Sequence, residues 1–100
     1  MKTSPELLRR TVKSYEKDII KFSRDLIAIP GFSGTEGNVC KRIAKEMKKV
    51  GFDKVWFDKM GNVIGQIGRG KTKIMIDSHV DTVLVGDRSQ WKWDPFKGKF

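Results

Sequence analysis

Apolar side chains recur through the first part of the chain at Leu8, Val12, Tyr15, Ile19, Phe22 and Leu26. Steps of four, three, four, three and four residues place them on one face of a helix. Ser4 stands where a helix cap belongs, Pro5 suits the first helical position, Glu6 suits the first turn, and Pro30-Gly31 stops the pattern. The spacing therefore predicts one helix with its striped face turned to a core. Gly31 to Gly37 reads as a loop, with Ser33 or Thr35 available to cap a second helix. That helix carries Val39, Ile43, Met47 and Val50 on one side and ends at Gly51.

Beyond Gly51 the period changes. Lys54 to Asp58 predicts a strand, Met60-Gly61-Asn62 a turn, and Val63 to Ile67 a second strand, which together make a hairpin. After the turn Gly68-Arg69-Gly70-Lys71, the run Lys73 to Asp81 contains three consecutive apolar residues, Ile74, Met75 and Ile76. Such a run predicts a strand buried on both faces. Helices followed by strands give an α/β fold class, with the strand order left open. Gly86 to Phe100 has no clear period. Its aromatics, Trp91, Trp93 and Phe96, predict a loop that packs down onto the core.

One hundred residues suffice for one small domain. Charged residues make up 33% and hydrophobic residues 38%, a balance that excludes disordered and fibrous classes. No apolar run approaches the roughly 20 residues that span a bilayer, and no secretory signal is visible at the N-terminus, so no membrane partner and a cytoplasmic address are expected. A lone cysteine, Cys40, has no internal partner and reads as a small buried side chain. The net charge of +9 raises nucleic acid as a partner. The cations are spread along the chain, however, and the densest group, Lys41, Arg42, Lys45, Lys48 and Lys49, reads as the solvated face of the second helix.

The candidate chemistry lies at His79, the only histidine, followed two residues later by Asp81. In an extended chain, residues i and i+2 point to the same side. A carboxylate there can accept the ring N–H that a metal-bound imidazole leaves free, which fixes the tautomer. Spacing alone makes this a weak signal. Asp77 and Asp87 are near in sequence, but neither makes a recognised ligand spacing with His79.

A wider set of residues adds to it. Ile76-Asp77-Ser78-His79-Val80-Asp81-Thr82-Val83 resembles the first metal motif of the M20 family of metallopeptidases and deacetylases. Ile29-Pro30 with Ser33-Gly34 and Glu36-Gly37, then Gly51-Phe52, Asp58 with Gly61-Asn62, and Trp91 with Asp94-Pro95-Phe96 are similar to further landmarks of that family in the same order. The resemblance covers about residues 15 to 100. It implies a zinc-exopeptidase-like catalytic domain with a mixed sheet flanked by helices, of which residues 1–100 are the N-terminal portion, without the lid or dimerisation domain. It implies two Zn2+ ions per complete site, with Co2+ as a substitute, His79 as a ligand of one metal, and Asp81 as the carboxylate of the catalytic apparatus that orients it. The remaining ligands and the general-base Glu are expected beyond Phe100. The substrate class implied is a small peptide or an N-acyl amino acid, and a homodimer is compatible with the complete protein.

Two other readings stay open at this level. One is a small basic nucleic-acid-binding module built on the charge and the late aromatics, which no phosphate loop or zinc-finger spacing supports. The other is a truncated, non-catalytic paralogue of such an enzyme.

Overall fold

Ser4 is extended (φ −110°, ψ 156°), and its hydroxyl accepts the Leu7 N–H at 3.1 Å, which starts helix α1 (Pro5–Ser14) as its sequence predicts. In the computed structural model, which describes residues 2–100, that helix does not run on to Pro30. Thr11 donates its hydroxyl to the Leu7 carbonyl at 2.8 Å and Ser14 donates to the Thr11 carbonyl at 2.6 Å. Side-chain bonds of this kind compete with the backbone ladder. The Tyr15 N–H turns to the Val12 carbonyl instead, at 3.1 Å, and a second helix, α2 (Glu16–Ile27), begins. One predicted helix is thus two.

The striped face is only partly covered. Phe22 and Leu26 are half-buried, whereas Leu8, Val12, Tyr15 and Ile19 are exposed. The expectation that all six face a core fails for the first four: among the described residues α1 meets no helix or strand but α2, and Leu8, Val12 and Ile19 line an open groove with Phe100.

Helix α3 (Gly37–Lys49) supplies the buried core of Val39, Cys40 and Ala44. Its predicted caps do not form. Neither Ser33 nor Thr35 caps it: Thr35 donates its hydroxyl to the Phe32 carbonyl at 2.8 Å, and Glu36, which stands at the cap position instead, accepts the Gly34 N–H at 2.9 Å, so the helix starts without a side-chain cap. Its end follows the sequence closely. Gly51 takes φ +90°, the Phe52 N–H reaches the Met47 carbonyl at 3.0 Å, and the Gly51 N–H reaches the Lys48 carbonyl at 3.2 Å. That pair of bonds is a Schellman motif.

The hairpin forms with strands β1 (Lys54–Phe57) and β2 (Val63–Gln66), antiparallel, with Val55 opposite Gly65 and Phe57 opposite Val63. Asp58 organises its loop by accepting the N–H groups of Met60 and Asn62 and the Asn62 side-chain amide, all at 2.8–2.9 Å. The Asn62 amide, ahead of these backbone bonds, holds the Asp58 carboxyl below its ordinary pKa. Helix α3 lies on the hairpin at Gly65, where a Cβ would come within 2.5 Å of the Phe52 ring and 2.7 Å of Met47 Sδ.

Arg42 corrects the reading of the α3 cations. Its guanidinium turns inward, bonds Asp25 on α2 at 2.9 Å and Glu46 at 2.8 Å, and lies 4.9 Å from the Phe22 ring centre. The other four lysines of that group are exposed. Hydrogen bonds from Lys21 and then Arg42 hold Asp25 at a pKa of about 2. Cys40 is buried, which pushes its thiol pKa up.

The predicted strand at Lys73 to Asp81 is not present. This stretch has no regular structure and is unpaired, and Ile74, Met75 and Ile76 are 87–92% exposed. A strand buried on both faces needs neighbours on both edges, and the two strands among the described residues pair only with each other. An α/β arrangement is therefore observed, with one two-stranded antiparallel sheet in place of a mixed sheet. The radius of gyration, 16.4 Å against about 13 Å for an ordinary 100-residue domain, records the same openness.

Candidate metal-binding motif

Residues 71 to 84 form no helix or strand, and one contact ties them to the loop between α2 and α3. The Thr82 N–H donates to the Gly31 carbonyl at 2.8 Å within a parallel bridge between Phe32 and Thr82. Val80 and Asp81 are half-buried there, while the His79 side chain is 84% exposed. After the motif, the chain turns at Gly86 and is braced by the Trp91 indole N–H, which donates to the Val85 carbonyl at 2.8 Å.

His79 and Asp81 come together as the i, i+2 relation predicts, although in a segment without a strand ladder. His79 Nδ1 lies 3.1 Å from Asp81 Oδ1 and 3.2 Å from the Asp81 backbone carbonyl oxygen. An ionised carboxylate and a carbonyl only accept hydrogen bonds. Nδ1 therefore carries a ring proton, and in the neutral form of the imidazole the lone pair is left on Nε2, on the side of the ring away from both acceptors. A neutral imidazole with a free Nε2 lone pair, oriented by a carboxylate at Nδ1, is the donor that zinc takes from histidine.

The other acidic residues near the motif in sequence do not join it. Asp87 accepts the Ser89 N–H at 2.9 Å and the Ser89 hydroxyl at 2.7 Å, capping the 3₁₀ turn Arg88–Gln90. The Ser89 hydroxyl, then its N–H, lower the Asp87 pKa. Among the described residues, no group of three or more His, Cys, Asp or Glu side chains is placed to hold a metal ion. The motif as it stands offers one ligand and its orienting partner.

The late aromatic loop docks less deeply than its composition predicts. Pro95 and Phe96 are half-buried, and Arg24 on α2 donates to the Lys97 carbonyl at 3.3 Å, but Trp91 and Trp93 stay about half exposed. Lys92 and Lys99 lie 5.3 and 4.7 Å from the Trp93 ring centre. No helix among the described residues is long and apolar enough to cross a membrane.

The residues that sequence reasoning missed are Gly31 and Thr82, whose bond ties the motif to the body. The only signal was the small residue following Pro30, read there as a helix stop.

No protein-family model matches the chain, and no solved structure matches it. An uncharacterized protein of Escherichia coli (strain K12), YgeY, is 46% identical over 93 residues, or 93% of this chain. Succinyl-diaminopimelate desuccinylases of Ehrlichia canis and Ehrlichia chaffeensis are 31% and 28% identical over 91 and 90 residues, 82% and 81% of this chain. The chain spans 23% of the length of each of these relatives.

Proposed function

We propose that these residues carry the first metal motif of an M20-type amidohydrolase, which cleaves an amide bond in a small peptide or an N-acyl amino acid. The observation that carries the reading is the hydrogen bonding at His79. Both acceptors sit at Nδ1, so Nε2 is free to ligate. Similarity to two desuccinylases across four fifths of the chain supports it independently.

In this reading His79 contributes one ligand of a two-zinc centre, and Co2+ substitutes for zinc. The residues present fit that role in donor chemistry, since a neutral imidazole oriented through its far nitrogen is a common zinc ligand. When bound, zinc supplies Lewis-acid activation of the amide carbonyl and of water. Asp81 holds the Nδ1 proton and keeps the ring facing one way. The other ligands and the general base come from residues outside these hundred, so the isolated segment binds zinc weakly at best and is inactive.

The test is His79→Ala in the intact protein, with zinc measured by mass spectrometry and amide hydrolysis followed on a panel of N-acyl amino acids and dipeptides. Zinc content and activity should fall together. A variant that keeps its full zinc complement overturns the assignment of His79.

A further inference from the structure

Gly31 is buried between two exposed or half-exposed neighbours, Pro30 and Phe32. Its φ does not lie in the left-handed region, so glycine's conformational freedom is not what the site requires. The requirement is room. A Cβ at residue 31 would stand 2.8 Å from Val39 Cγ2 and 3.6 Å from the Val80 carbonyl oxygen. Val39 is 5% exposed and belongs to α3, whereas Val80 lies between His79 and Asp81. The backbone of Gly31 is thus a spacer between the core helix and the metal motif.

The same residue also supplies the tie. Among the described residues, Thr82 N–H to Gly31 carbonyl is the backbone hydrogen bond that joins the run 71–84 to the rest of the chain. Thr82 immediately follows Asp81, so whatever shifts the loop at residue 31 shifts the peptide that carries the imidazole and its carboxylate.

We propose that Gly31 is a positioning residue for the His79–Asp81 pair: its missing side chain lets the loop close against Val39, and its carbonyl fixes Thr82 at that distance. This rests on the functional reading above. Ligand geometry tolerates little error, and a displacement of about 1 Å costs a site much of its affinity or rate. A side chain at residue 31 has two ways to fit, by pushing Val39 into the core or by pushing the 80–82 peptide outward. Val39 is held among the buried residues of α3, whereas the 71–84 run is joined to the body only at the Phe32–Thr82 bridge, so the motif is what moves.

The experiment compares Gly31→Val, Val39→Ala and the double variant in the intact protein. Three quantities are read: zinc affinity by chelator competition, melting temperature of the metal-free protein, and hydrogen exchange at the Thr82 amide. Gly31→Val should weaken zinc binding about tenfold, the lower end of the range for groups that orient a ligand, and speed exchange at Thr82. Val39→Ala alone should lower the melting temperature and leave zinc affinity unchanged. In the double variant, zinc affinity and slow exchange should return while the melting temperature stays below wild type, a split that a general loss of stability does not produce. Should Gly31→Val fail to fold, Gly31→Ala adds the Cβ alone and is read in the same way with a smaller effect. Wild-type zinc affinity in folded Gly31→Val, or no recovery in the double variant, overturns the proposal. If the wild-type protein binds no zinc, the functional reading fails by itself, and unchanged Thr82 exchange in Gly31→Val still overturns the positioning role.

Discussion

Removing the Asp81 carboxylate tests how much of the imidazole's orientation depends on that one group. In Asp81→Ala, the contact from His79 Nδ1 to Oδ1 at 3.1 Å disappears, but the backbone carbonyl of the same residue remains 3.2 Å from Nδ1. The ring proton keeps an acceptor, so the tautomer that leaves Nε2 free survives. What is lost is the carboxylate's charge and half of a two-point hold on the ring. Partners that orient metal ligands are worth about 10- to 100-fold in metal affinity or activity. The retained carbonyl and the exposure of the pair, 84% for His79 and 45% for Asp81, place this one near tenfold, about 1.4 kcal/mol. Asp81→Asn, which keeps an acceptor oxygen but not the charge, should lose less. Zinc affinity measured by chelator competition on the intact protein reads both variants. A loss in Asp81→Ala as large as that in His79→Ala would make Asp81 a ligand in its own right, and no loss at all would remove it from the site. Either result refutes the orienting role.

Two further predictions concern the frame that holds the motif. Arg42→Met keeps the apolar reach over Phe22 but leaves Asp25 and the largely buried Glu46 without their shared cation, and should cost about 1 to 2 kcal/mol in urea unfolding; an unchanged midpoint would show that the α2–α3 contact does not depend on the ion pairs. The same variant should flatten the acid limb of the stability profile in part, since Lys21 keeps its 2.8 Å bond to Asp25. The Asp25 pKa is lowered from 3.8 to about 2 in the folded chain, so its stabilising contribution is complete above pH 4 and is lost as the pH falls toward 2. Gly65→Ala should destabilise by about 1 to 3 kcal/mol through overpacking against Phe52 and Met47, and thermal unfolding indistinguishable from wild type would mean that α3 does not sit on the hairpin as described.

Local rules carried the sequence reading a long way. The Ser4 cap, the Gly51 stop and the hairpin turn at Asp58 are each decided within a few residues, by hydrogen bonds that the side chains can only make locally. The i, i+2 relation of His79 and Asp81 is of the same kind, and the pair forms even without the strand from which it was argued. The errors share the opposite character. Thr11 and Ser14 have the composition of a helix interior, and only their back-bonding to the helix carbonyls reveals the break at Tyr15. Arg42 sits among solvated lysines in sequence, yet the carboxylate that turns it inward is 17 residues away on α2. The bond from Thr82 to Gly31 joins positions about 50 residues apart, and nothing in either residue type announces it.

The unpaired run from Lys73 to Asp81 joins the question of fold to the question of function. Successive side chains of a strand point to opposite faces, so as a strand the three bare apolar residues Ile74, Met75 and Ile76 would present apolar surface on both sides at once. Covering them takes a layer on each face, and satisfying their backbone groups takes a strand on each edge. Helices α1 and α2 present a similar bare stripe at Leu8, Val12 and Ile19. On the proposed reading, the residues that complete the metal site lie in the three quarters of the relatives' length that this chain does not span. Those same residues are then the natural source of the flanking strands. Strand pairing would hold the motif from its N-terminal side, as the Gly31 carbonyl holds it from its C-terminal side. Zinc affinity should accordingly respond to substitutions that disturb the cover over Ile74 to Ile76, although none of these side chains touches the metal. Met75→Lys in the intact protein reads this: it should weaken zinc binding by about tenfold at a protein concentration and temperature where the variant remains folded, in line with other groups that act on a ligand through its support. Full zinc affinity in the folded variant would show that the Thr82 tie alone positions the motif.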